Sequence, residues 1–179
     1  KILSPDVKVF APPDEIMLEI MGELDYADIE VVEPFKPHKI KDITLTFTPS
    51  ILPWGEPPEN GFIIDDGEVI IWNQVDSVVT PEVINNIKKL CGHIDLAHVR
   101  FETLLEGNFA FHQPLQLPFV EYQSFLQMVK MLSPKFILPG SAAFRYSDQF
   151  GFLNNFSFPI SPQQFLNDLS EFCPEVNKS

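Results

Sequence analysis

The chain has 179 residues, 45% of them hydrophobic, which is enough to bury one sizeable core and points to a single globular domain or most of one. Lys and Arg total 12 against 25 Asp and Glu, a net charge of -13, and such a surface repels phosphate backbones and anionic lipid, so nucleic-acid and membrane partners are excluded as expectations. No apolar run approaches the roughly 20 residues of a membrane span, and the start lacks a basic-then-apolar leader, so a cytoplasmic setting is expected.

In chain order, Val7 to Phe10 is β-prone, and Pro12-Pro13-Asp14 opens a helix with Ile16, Met17, Ile20 and Leu24 on one face. Ile29 to Val32 and Ile43 to Phe47 read as strands, with the Pro/Lys/His stretch 34 to 41 as the loop between them. Phe62 to Ile64 and Val69 to Trp72 form a pair joined at Asp65-Asp66-Gly67, a hairpin signal. Thr80-Pro81 supplies the cap and first-turn proline of a helix with Val83, Ile84, Ile87 and Leu90 inward, ending at Gly92.

Ile94 to Val99 is the next strand, followed by a long polar-aromatic loop. Pro118 starts a helix with Tyr122, Phe125, Leu126, Val129 and Leu132 on one stripe, and Phe136 to Leu138 is a buried strand ended by Pro139-Gly140. Ser161-Pro162 caps a last helix bearing Phe165, Leu166, Leu169 and Phe172, stopped before Pro174. Phe150, Phe152, Phe156 and Phe158 read as a packed flap. Cys91 and Cys173 each fall at a helix end and read as thiols, not as a disulfide framework. Strand dominates the first half, and strand and helix alternate afterwards.

Three stretches carry a family likeness. They are Thr46-Phe47-Thr48-Pro49-Ser50, then Trp54-Gly55-Glu56-Pro57-Pro58-Glu59-Asn60-Gly61 leading into Phe62-Ile63-Ile64, then Val69-Ile70-Ile71-Trp72 followed by Asp76-Ser77. Together with Ile94-Asp95-Leu96-Ala97 and Ser133 to Pro139, they resemble the central part of metallo-β-lactamase-fold hydrolases, especially the lactonase-like branch. The likeness spans roughly residues 2 to 145. A narrower one, Pro139 to Phe144 through Asp148, Leu153-Asn154 and Phe158-Pro159, is similar to the closing segment of the branch that includes the sialic-acid hydroxylases, where the fold is joined to a Rieske-type iron-sulfur domain. Cys91-Gly92-His93 is a single Cys-x-His pair, and Cys173 has no histidine beside it, so this chain lacks the two Cys and two His ligands of such a cluster.

The resemblance implies an α+β fold, a partial αββα sandwich of mixed sheets flanked by helices, with residues 1–179 as the C-terminal portion of one domain. It places the family's His-x-His-x-Asp-His cluster just upstream of Lys1, in a preceding segment of the same protein. It also implies a divalent metal (zinc, manganese or iron) in the full-length protein, with Asp76 in the place of the metal-bridging carboxylate. Two departures stand against a full ligand set. Pro49-Ser50-Ile51 and Gly140-Ser141 occupy places where imidazoles are usual, and a hydroxyl is a poor ligand beside imidazole and carboxylate.

For substrate contact the candidates are Ser141, Arg145, whose guanidinium suits a carboxylate or phosphate, and His112 in an aromatic loop. Bland readings stand beside the functional ones: Asp76 as a loop cap, Arg145 paired with Asp148 or another surface acid, and His98 as a packed, hydrogen-bonded strand histidine. Three functions follow: a metal-dependent hydrolase acting on a small molecule, a metal-free binding or partner domain of the same fold, and the fold partner of a Rieske-type oxygenase. Oligomerisation is left open.

Overall fold

The structure is a computed structural model and describes residues 4–51, 59–102, 105–140, 145–157 and 159–174. It opens with a β-α-β unit in which β1 (Lys8–Ala11) and β2 (Asp28–Val31) pair in parallel across α1 (Glu15–Glu23). Asp14 begins that helix because its carboxylate accepts the Met17 N–H at 2.8 Å.

A six-stranded sheet follows in the order β3 (Pro37–Ile40), β4 (Ile43–Pro49), β5 (Asn60–Asp65), β6 (Ile70–Asn73), β7 (Leu96–Arg100), β8 (Phe136–Gly140). The first three pairings are antiparallel and the last two parallel. Parallel neighbours need crossovers, and helices supply them: α2 (Pro81–Cys91) leads from β6 to β7, and α3 (Glu106–Ala110) and α4 (Phe119–Leu132) lead from β7 to β8. A short 3-10 helix (Asp148–Leu153), α5 (Asn154–Ser157) and α6 (Pro162–Phe172) complete the chain. The β5–β6 turn is the hairpin that Asp65-Asp66-Gly67 predicts: Gly67 takes φ 89° and the Asp66 carboxylate accepts the N–H groups of Glu68 and Val69.

Register explains the layers. Residues paired across strands point to the same side of a sheet. Thr46, Ile63, Trp72, Ala97 and Ile137 therefore form one row, closed over by Val83, Ile84 and Ile87 of α2, by Tyr122, Phe125, Leu126 and Val129 of α4, and by Phe165 and Leu169 of α6. The neighbouring row, Phe47, Phe62, Asn73, His98 and Leu138, faces the other way. There β1 and β2 cover one end only: the Phe10 ring lies 5.5 Å from Phe47 and 5.4 Å from His38, and the His38 Nδ1 meets the Glu30 carboxylate at 2.7 Å.

Several expectations need correction. Within 34 to 41, residues Pro37–Ile40 form an edge strand, because Lys41 at φ 55° closes a tight turn onto Ile43. The long loop after β7 contains α3. The β8 strand is not enclosed: Phe136 is 57% and Leu138 52% exposed, since among the described residues no second layer covers their face at that end. The same lack of a covering layer leaves Ile16, Ile20 and Leu24 of α1 exposed, and Leu90 of α2 turns outward beyond the core. In the flap, Phe150, Phe152 and Phe156 are about half exposed, and Phe158 lies outside the described residues. Cys91 and Cys173 are free thiols, the second fully buried.

Candidate functional site

The functional candidates gather where β4, β6, β7 and β8 end, along one edge of the six-stranded sheet. Parallel strands with crossover helices leave a crevice at their carboxyl ends, which is why this edge is the place to look. Inside it the polar groups are tied to one another. The Trp72 Nε1–H donates to the buried Thr48 hydroxyl at 3.2 Å. Gly61 must lack a side chain there, because a Cβ would sit 2.6 Å from the Thr48 Oγ1 and 2.9 Å from the Asn73 carbonyl.

Asp76 is exposed, on the turn that leaves β6. The turn is braced from within. Gln74 accepts the Arg100 backbone N–H through Oε1 at 3.0 Å and donates Nε2 to the Ser77 carbonyl at 2.9 Å, while the buried Ser77 hydroxyl donates to the Gln74 carbonyl. From β4, the Ser50 Oγ accepts the Val78 N–H at 2.8 Å. Val75 takes φ 54°, a left-handed conformation that a β-branched residue adopts only when its surroundings impose it. Arg100 clamps the outside: its Nη1 donates to the Asp76 carbonyl at 3.3 Å, its Nη2 lies 3.5 Å from Glu121, and its guanidinium rests over the Phe125 ring at 5.4 Å. The turn thus holds its backbone by other groups and leaves the Asp76 carboxylate facing solvent.

His98, beside Asn73 in the register of β6 and β7, is half-buried and places Nδ1 2.7 Å from the Asn73 Oδ1. Glu102, just past β7, is fully buried, with the Arg145 Nη2 3.9 Å from its Oε1. The acid beside Arg145 is therefore Glu102, whereas Asp148 accepts from the Ser147 hydroxyl. His112 is exposed, with φ 54°, at the end of α3. Ser141 lies outside the described residues. Sequence reasoning missed Asn73, Gln74 and Gly140; the one available signal was an Asn and a Gln placed directly after a β-branched strand.

No protein-family model matches the chain, and no curated protein matches it in sequence. Solved structures do resemble it. The metallo-β-lactamase fold protein YhfI from Bacillus subtilis superposes with a TM-score of 0.58 at 14% identity, over 92% of this chain and 58% of its own. The chain has the metallo-β-lactamase fold. An isothiocyanate hydrolase from Delia radicum gut bacteria gives 0.60 at 11% identity, over 98% of this chain and 64% of its own. CmlA, a diiron β-hydroxylase from Streptomyces venezuelae, gives 0.57 at 16%, over 75% and 30%. This chain thus spans less than two thirds of each, and at these identities the likeness is one of fold.

The expected α+β class is present, as mixed sheets with helices packed on the larger one. The metal that the fold implies was tested against the side chains. Among the described residues, no three His, Cys, Asp or Glu side chains gather as a ligand set, and the Ser50 hydroxyl is engaged by Val78. By themselves the described residues do not fit a metal centre. No described helix is long and apolar enough to cross a membrane.

Proposed function

We propose that residues 1–179 are the C-terminal portion of one metallo-β-lactamase-like domain, in a metal-dependent hydrolase-like protein that acts on a small molecule. The observation that carries this reading is the braced turn that holds the Asp76 carboxylate outward at the strand-end edge of that fold. The bare sheet face around Phe136 and Leu138 and the uncovered stripe of α1 support it, because both are apolar surfaces that a second layer outside this chain would bury. Asp76 contributes one carboxylate toward a divalent metal, zinc, manganese or iron, whose other ligands lie outside the described residues. Gln74, Ser50 and Arg100 act as its positioning residues.

Elemental analysis of the full-length protein tests this. The expected result is near-stoichiometric zinc, manganese or iron in the wild type and a clear loss of occupancy in Asp76→Ala. A metal-free wild type, or an unchanged metal content in the variant, overturns the reading. A second reading, a metal-free binding or partner domain, is favoured by the Ser50 hydroxyl, which serves the Val78 N–H where an imidazole is usual. It expects the metal-free result.

A further inference from the structure

His98 stands on the same edge, where its carbonyl accepts the Gln74 N–H at 2.9 Å and its ring turns to Asn73. Its proton is located by its neighbours. The Asn73 Oδ1 accepts the Val75 backbone N–H at 2.9 Å, and a backbone N–H can only donate, so the atom of Asn73 at that position is the oxygen. The same oxygen lies 2.7 Å from the His98 Nδ1. The hydrogen between them therefore belongs to Nδ1, and in the neutral ring Nε2 is left as an acceptor.

Gly140 fixes where that acceptor points. A Cβ at Gly140 would fall 1.5 Å from the His98 Nε2, 2.3 Å from Cδ2 and 2.4 Å from Cε1. The ring occupies the volume that a side chain at 140 would need, so only glycine admits it. Nε2 lies at the end of β8, where the chain leaves the sheet. Among the described residues no group hydrogen-bonds it, and His98, unlike the buried His38, is only half-buried.

The described arginines of this edge already face acids: Arg100 has Glu121 at 3.5 Å and Arg145 has Glu102 at 3.9 Å. With Asp76 turned to solvent and a net charge of -13, the edge offers acceptors and repels anions. We infer that the His98 Nε2 is a ligand-binding acceptor of this site, selecting small molecules by an N–H or O–H donor instead of a negative charge. Asn73 and Gly140 are its positioning residues. The inference rests on the proposed function only for the location of the ligand.

The test uses full-length protein labelled with ring-15N histidine, long-range 1H–15N spectra, and two isosteric probes, acetamide and acetate. At a pH where the imidazoles are neutral, the expected result is the His98 hydrogen on Nδ1, and an Nε2 resonance that shifts progressively with acetamide and does not shift with acetate. Asn73→Ala should let the hydrogen redistribute between the two nitrogens and weaken the acetamide response. Gly140→Ala should displace the ring and abolish that response, with the signals of His38, His93 and His112 unmoved as the sign of an intact fold. Should those signals move as well, Asn73→Ala carries the test. A wild-type hydrogen on Nε2, no response to acetamide, or an equal response to acetate overturns the inference. The metal reading fails separately: a metal-free protein in which acetamide still shifts Nε2 sinks that reading alone, and a metal-loaded protein without the shift sinks this one alone.

Discussion

Two rows of side chains cross the six-stranded sheet one residue apart, and they end in different surroundings. Thr46, Ile63, Trp72, Ala97 and Ile137 run beneath three helices, and the first four are almost completely buried. Phe47, Phe62, Asn73, His98 and Leu138 begin under Phe10 and end in the open at Leu138. Composition does not separate them, since each row is mostly apolar, with Thr46 polar in one and Asn73 and His98 polar in the other. The covering layer does: helices α2, α4 and α6 cover one face, whereas among the described residues only β1 and β2 stand over the other. The closed row accounts for stability, and the open row carries Asn73 and His98 to the edge where Asp76 is held.

The largest expected effect lies on the closed row. Trp72→Ala removes a buried indole and its bond to Thr48, and should cost about 3–5 kcal/mol in urea unfolding followed by circular dichroism. A cost under about 0.5 kcal/mol, the range of ordinary surface substitutions, would erase the distinction between the rows.

The smallest lies on the opposite edge of the sheet. There the Asp95 carboxylate ties β6, β7 and β8 together by accepting from the Ile70 N–H and from the Lys135 ammonium. The Lys135 bond, then that of Ile70, holds its pKa below the ordinary carboxylate value. A lowered folded-state pKa means that the stabilisation is present above the unfolded value, roughly 4, and is lost as pH falls through the folded one. Asp95→Asn should therefore lower the urea midpoint slightly at neutral pH, and the gap from wild type should close in acid. A gap that persists unchanged below that range would assign the effect to packing.

What was legible in the sequence is what short-range chemistry writes there. Asp14, Thr80 and Ser161 each cap the helix they precede, and Gly67 makes its hairpin, because those turns are decided within a few residues. Strand β3 was not legible, since Pro37-His38-Lys39-Ile40 makes no apolar alternation and only pairing with β4 reveals it. Phe136 to Leu138 reads as buried from composition, but an apolar strand does not say which chain supplies its cover.

The site divides in the same way. Asp76 was reached through resemblance, and the structure adds the turn that presents it. The roles of Asn73 and Gly140 depend on contacts to His98 across two strands, and the pairing of Arg145 with Glu102 joins residues far apart in the chain, so no local pattern encodes them.

The central claim is that the open face is an inner face of a larger sandwich. Thiol labelling of the full-length protein tests it directly, with Cys91→Ser as background and single cysteines introduced by Leu138→Cys and by Val120→Cys, the latter at a residue 81% exposed here. The expected result is slow labelling at 138 and fast labelling at 120. Equal, fast labelling at both positions would mean that nothing covers the sheet there, and the half-sandwich reading would fall.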